Sequence, residues 1–114
     1  MVLANSPLKS KVALVTGGGS GIGKAIAERL SAAGAHVAVS TRSGAGQAVA
    51  DAVGGSFYQA DLASMDATRS LGQRVLADLG RVDILVNNAG YNHIAPVDEF
   101  PEEIFAEMLQ VMTI

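Results

Sequence analysis

Short apolar runs alternate along this chain with longer stretches in which apolar residues recur every three or four positions. Residues 12–16, "VALVT", are continuously apolar and Val-rich, the pattern of a strand buried on both faces. Residues 22–34, "IGKAIAERLSAAG", place Ile22, Ile26, Leu30 and Ala33 at helical spacing and end in a C-cap candidate, Gly34. "AHVAVST", 35–41, reads as a second buried strand, and "GAGQAVADAVGG", 44–55, as a short helix between glycine pairs. "SFYQAD", 56–61, is a third strand. The next stretch carries Met65, Leu71, Val75 and Leu79 on a helical stripe, with Ser64 as N-cap. "VDILVNNAG", 82–90, is a fourth strand ending in turn residues, and a further helix starts near Pro101.

The order is βαβαβαβα, which predicts an α/β fold: a doubly wound parallel sheet with helices on both faces. Residues 1–10 read as a loose arm, and 11–114 as one unit without linker or low-complexity tract. At 114 residues the chain suffices for one modest core.

Composition narrows the function classes. A net charge of −3, without a Lys/Arg cluster, gives no field for nucleic acid. Cysteine is absent, so disulfides, thiolate metal sites and a Cys nucleophile are excluded, and no metal site is expected. No apolar run approaches the ~18 residues of a membrane span. No signal-peptide pattern opens the sequence, and a cytoplasmic location fits.

The chemistry concentrates in "TGGGSGIG", Thr16 to Gly23, between the first strand and the first helix. Such a turn brings the unpaired N–H groups and positive dipole end of the helix to the strand's C-terminal edge, where they suit a phosphate. Glycines let the backbone approach closely and permit positive φ. Gly17, Gly21 and Gly23 have the spacing G-x-x-x-G-x-G; Gly18, Gly19 and Ile22 complete the loop, and Ser20 adds a hydroxyl donor. The alternative is a merely tight turn, but the strand before, the helix after and the second strand at βαβ distance favour a nucleotide.

With "NNAG", Asn87 to Gly90, after the fourth strand and Asp61 directly after the third, the sequence resembles the short-chain dehydrogenase/reductase family. The resemblance covers nearly the whole chain. It implies a Rossmann-like fold and hydride transfer between a nicotinamide and an alcohol or carbonyl. It also implies that Gly17 to Gly23 hold the cofactor phosphates. Asp61 would receive the adenine amino group, with Leu62 flanking the ring. Asn88, Ala89 and Gly90 would pass beside the ribose toward the nicotinamide, while the same turn braces the sheet. A homotetramer is implied for the full-length form.

The tip of the second strand bears on the choice between NAD and NADP. An acid there would bond the ribose hydroxyls and repel a 2′-phosphate. Thr41 stands in that place and Arg42 follows, whose guanidinium can grip a phosphate. The loop 92–103, "NHIAPVDEFPEE", points the other way. It is similar to bacterial 3-hydroxybutyrate dehydrogenases, mostly NAD enzymes, in which a Gln at the place of Asn92 touches the substrate carboxylate. Asn92 and, beside it, His93 are therefore substrate candidates, His93 equally readable as a loop histidine. Both cofactors stay open, with Arg42 tilting toward NADP.

The family's catalysis rests on Y-x-x-x-K, with Tyr as acid/base and Lys lowering its pKa. The tyrosines here are Tyr58 and Tyr91, and neither has Lys at the fourth position, so no catalytic residue is assigned within the chain. Where the family's helix Asn follows a Val, this chain has Val111-Met112. The expectation is the truncated cofactor-binding half of an oxidoreductase acting on a small hydroxy acid or ketone, itself inactive. The other readings are a non-catalytic dinucleotide-binding module and an inert truncation product.

Overall fold

The computed structural model describes residues 7–19, 21–88 and, as backbone, 93–96. Four parallel strands form the sheet: β1 (Val12–Thr16), β2 (His36–Thr41), β3 (Ser56–Gln59) and β4 (Ile84–Asn87). Three helices connect them, α1 (Gly21–Ala32), α2 (Gly46–Val53) and α3 (Met65–Leu79). A fifth strand, β5 (His93–Pro96), runs antiparallel beside β4, giving the order β3-β2-β1-β4-β5. The parallel core follows the expected alternation. β5 falls in a segment expected to be a loop, and the helix expected near Pro101 lies outside the described residues.

Alternating side chains on the strands feed two cores. Ala13, Val15, Val37, Val39 and Val86 pack with Ala27 of α1 and Val49 and Ala50 of α2. Leu14, Ala38, Tyr58 and Leu85 pack with Leu71 and Val75 of α3. The steps from β1 to β2 to β3 carry α1 and α2 over one face. The return from β3 to β4, across β2 and β1, puts α3 on the other, as right-handed crossovers require.

The stripes differ in detail from the spacing-based expectation. Ile22 is 57% exposed and Met65 37%. α1 meets the sheet through Gly23 and Ala27, with Ile26 and Leu30 partly buried, and α3 through Thr68, Leu71, Gly72 and Val75. Both exposed residues sit in the first turns of their helices.

Ser64 caps α3 as expected, its hydroxyl accepting from the Ala67 amide at 3.2 Å. The strand starts are tied by Asp83, whose carboxylate accepts from the Val12 amide at 2.8 Å. Burial works to raise this carboxyl, but Arg81 and the Val12 N–H outweigh it and hold it below the usual range. Leu8, from the expected arm, is docked: its amide donates to the Ala33 carbonyl and its side chain packs against the core that α1 and α2 share.

Candidate functional site at the sheet's C-terminal edge

β1 has β2 on one side and β4 on the other, so the chain leaves the two C-terminal ends in opposite directions. A crevice opens at such a reversal, and ligands of open α/β sheets bind there. Gly17 follows β1, Asn88 follows β4, Arg42 follows β2 and Asp61 follows β3; because the strands are parallel, all four lie along one edge.

The glycines of the loop do separable jobs. Gly17 and Gly21 have φ of 68° and 59°, which side chains rarely adopt. A Cβ on Gly23 would collide with the Gly17 carbonyl oxygen and stand 2.7 Å from Asn88 Nδ2. A Cβ on Gly18 would come within 2.8 Å of Val39. At Gly21 nothing among the described residues lies within 4 Å of such an atom, so there the backbone faces open space at the start of α1. A tight turn, an open approach and a close helix–strand contact are the three glycine roles of a dinucleotide-binding turn. The loop therefore fits a diphosphate group. Ile22 stands exposed beside it. Ser20 lies outside the described residues.

Asn88 holds the loop from the β4 side. Its amide N–H is shared between the Thr16 carbonyl and Thr16 Oγ1, at 3.2 and 3.1 Å, and its Nδ2 donates to the Gly17 carbonyl at 3.3 Å. On the other side the Gly17 amide donates to the Ser40 carbonyl at 2.8 Å. Ala89, Gly90 and Asn92 lie outside the described residues. The backbone of His93 is in β5, opposite Asn87, rather than in a loop.

Thr41 is half-buried and its hydroxyl is engaged: it donates to the Ser43 carbonyl at 2.6 Å and accepts from the Gly46 amide at 3.1 Å. It thus caps the start of α2, where Ala45 has no side chain able to do so. Hydroxyl residues a few positions before a helix are the signal that could have revealed this. Arg42 is exposed, and its guanidinium makes no ion pair among the described residues. Its carbonyl accepts from Gln59 Nε2 at 3.1 Å, a contact that residue spacing did not anticipate. Asp61 is exposed, with Oδ1 accepting from the Ala63 amide at 3.0 Å. The Leu62 side chain is buried in the core beneath α3, so only its backbone could face a ring.

Of the two tyrosines, Tyr58 is buried and donates to Asp78 at 2.8 Å. Burial first, and Asp78 second, push its hydroxyl up to about 12, the reverse of an activated phenol. Tyr91 lies outside the described residues. Among the described residues no cluster of His, Asp and Glu could hold a metal, and no helix is long and apolar enough to cross a membrane.

A family model described as short chain dehydrogenase matches residues 11–114. The chain belongs to the short-chain dehydrogenase family. It is 37% identical over 111 residues to a cis-1,2-dihydrobenzene-1,2-diol dehydrogenase of Pseudomonas putida, covering 92% of this chain and 40% of that enzyme. It is 40% identical over 114 residues to a hydroxynaphthalene reductase of Aspergillus fumigatus, covering 94% of this chain and 42% of the relative. Among solved structures it resembles a metagenomic short-chain oxidoreductase in complex with NADP, with TM-score 0.69 and 41% identity over 74% of this chain and 41% of that one. A citronellol catabolism dehydrogenase of Pseudomonas aeruginosa PAO1 gives TM-score 0.71 and 36% identity, over 75% of this chain and 38% of the other. The chain thus spans less than half the length of these relatives.

Proposed function

We propose that this chain is the cofactor-binding part of an NAD(P)-dependent short-chain oxidoreductase. The observation that carries the reading is the glycine loop: positive φ at Gly17 and Gly21, open space at Gly21, and Asn88 bracing the loop from β4. When bound, the dinucleotide supplies hydride transfer at its nicotinamide, between cofactor and a small alcohol or ketone. Gly17 to Gly23 would hold the diphosphate, Asp61 would accept from the adenine amino group, and Asn88 would keep the loop's shape. Asn92 and His93 stay the substrate-side candidates, and the 92–103 segment favours a hydroxy acid such as 3-hydroxybutyrate. The whole enzyme is proposed as a cytoplasmic homotetramer.

The 114 residues alone are proposed to bind cofactor without turning it over. Tyr58 is followed at the fourth position by Leu62 and Tyr91 by Ala95, so neither heads a Tyr–Lys pair. The exposed Arg42, which has no ion pair among the described residues, supports NADP, since a guanidinium beside a 2′-phosphate gives charge-assisted bonds worth roughly 1.5–3 kcal/mol.

The test is calorimetric titration of the chain with NADPH and NADH. Arg42→Ala is expected to weaken NADPH by about tenfold or more and leave NADH nearly unchanged. Equal losses, or none, would make Arg42 a surface residue only. Absence of binding by either cofactor would remove the dinucleotide reading.

A further inference from the structure

We propose that Gln59 and Thr41 are positioning residues for Arg42, and that they set the preference for an adenosine bearing a 2′-phosphate. The inference rests on the dinucleotide reading above and concerns which residues make its Arg42 effective.

Arg42 is held through its backbone, while its side chain makes no ion pair among the described residues. Thr41 and Gln59 are register partners on β2 and β3. The Ala60 amide donates to the Thr41 carbonyl at 3.0 Å, and Gln59 Nε2 donates to the Arg42 carbonyl at 3.1 Å. The Gln59 carbonyl is itself fixed by Arg74 Nη2 at 3.0 Å. On the other side of Arg42 the Thr41 hydroxyl bridges the Ser43 carbonyl and the Gly46 amide. The peptides before and after Arg42 are therefore both pinned. The pinned loop also adjoins the glycine loop: a Cβ on Gly19 would lie 3.1 Å from Ala45 Cβ and 3.3 Å from Thr41 Cγ2.

A free arginine side chain loses rotamer entropy when fixed. A mobile backbone beneath it would add to that loss. Pinning the backbone in advance lowers the cost of fixing the guanidinium on a phosphate. The Thr41 and Gln59 side-chain bonds end on Ser43, Gly46 and Arg42, not on the hydrogen bonds of the glycine loop or on Asp61, so their removal should act selectively.

The experiment compares 2′,5′-ADP with 5′-AMP by NMR titration of the 114-residue chain, with Arg42→Ala as reference. Thr41→Val removes the hydroxyl at constant shape, and Gln59→Leu removes the donor. Each is expected to weaken 2′,5′-ADP roughly three- to tenfold, the range of one neutral hydrogen bond, while 5′-AMP stays within about twofold. Thr41→Ser should retain binding of both. Thermal melts follow each variant; if Thr41→Val fails to fold, Gln59→Leu decides, since its contact lies outside the α2 cap. Equal loss on both probes would overturn the proposal. Selective loss in Arg42→Ala but in neither other variant would overturn it and leave the dinucleotide reading standing. No binding of either probe by the unaltered chain would overturn both.

Discussion

The hydroxyl of Thr16 donates to Oδ1 of Asn87 at 2.7 Å, and both side chains are fully buried. The same hydroxyl oxygen accepts from the Asn88 amide, so its donor and an acceptor site are both used. The bond joins the ends of β1 and β4 where the crevice begins. Through Asn88 it continues to the Gly17 carbonyl, making the glycine loop part of a closed polar network rather than a free turn.

Thr16→Val should therefore cost about 1–3 kcal/mol, because it takes the hydroxyl donor away from the buried Asn87 Oδ1 and leaves the Asn88 amide only the Thr16 carbonyl. Thr16→Ser, which keeps the hydroxyl, should cost much less. Urea denaturation measures both. A loss within about 0.5 kcal/mol for Thr16→Val, the range of ordinary surface changes, would show that the network contributes nothing to stability.

The opposite sign is expected one strand away. Ser40 is in register with Thr16, equally buried, and its Oγ has no hydrogen-bond partner among the described residues. A buried hydroxyl without a partner costs roughly 1–3 kcal/mol. Ser40→Ala should hold or raise stability, by up to about 1 kcal/mol after the small cavity is counted, read from the melting midpoint. A clear fall would mean that this hydroxyl is bonded in solution.

These two positions mark what could be read from sequence. The short Val-rich runs announced β1 and β2, since strands buried on both faces carry such runs, and the glycine spacing announced the loop. Apolar period alone misjudged Ile22 and Met65, because spacing cannot tell which members of a stripe meet the sheet. It also undervalued Gly23 and Ala27, which make the contact by being small. β5 was not legible, since four residues with a terminal Pro carry little strand signal. Hydrogen bonds between residues distant in sequence, such as Thr16 with Asn87 or Gln59 with Arg42, leave no trace in local spacing.

Tyr58 provides a pH test. Its hydroxyl is raised from 10.0 to about 12 by burial and by Asp78. The folded state thus keeps a proton that the unfolded chain releases. This contribution is fully present below pH 10 and is lost as pH rises toward 12, amounting to roughly 2–3 kcal/mol at ~1.4 kcal/mol per unit. Tyr58→Phe should cancel that part of the alkaline decline. Denaturation midpoints of both proteins between pH 9 and 12 (about one point per half unit) isolate the difference, since the other titrating groups are shared. Parallel curves would refute the assignment.

Gly23 and Gly21 should fail in different ways when changed to Ala. At Gly23 the new methyl meets the Gly17 carbonyl, which is backbone, and Asn88 Nδ2, the side-chain donor that holds that carbonyl. Helix α1 must shift or the loop must open, and overpacking of this kind costs about 1–3 kcal/mol. At Gly21 the methyl meets nothing among the described residues, so the stability cost expected from them is the left-handed φ, about 1–2 kcal/mol. That methyl, however, would occupy the open side of the loop, where a diphosphate would approach the N–H groups of the α1 start. Gly21→Ala should therefore lose ADP binding by more than its fall in stability explains. In Gly23→Ala the amide exchange of Gly17 and Asn88 should quicken even without ligand. Melting curves, amide exchange and ADP titration on the two variants separate these outcomes. If Gly21→Ala binds ADP as well as the unaltered chain, the diphosphate does not sit on this loop.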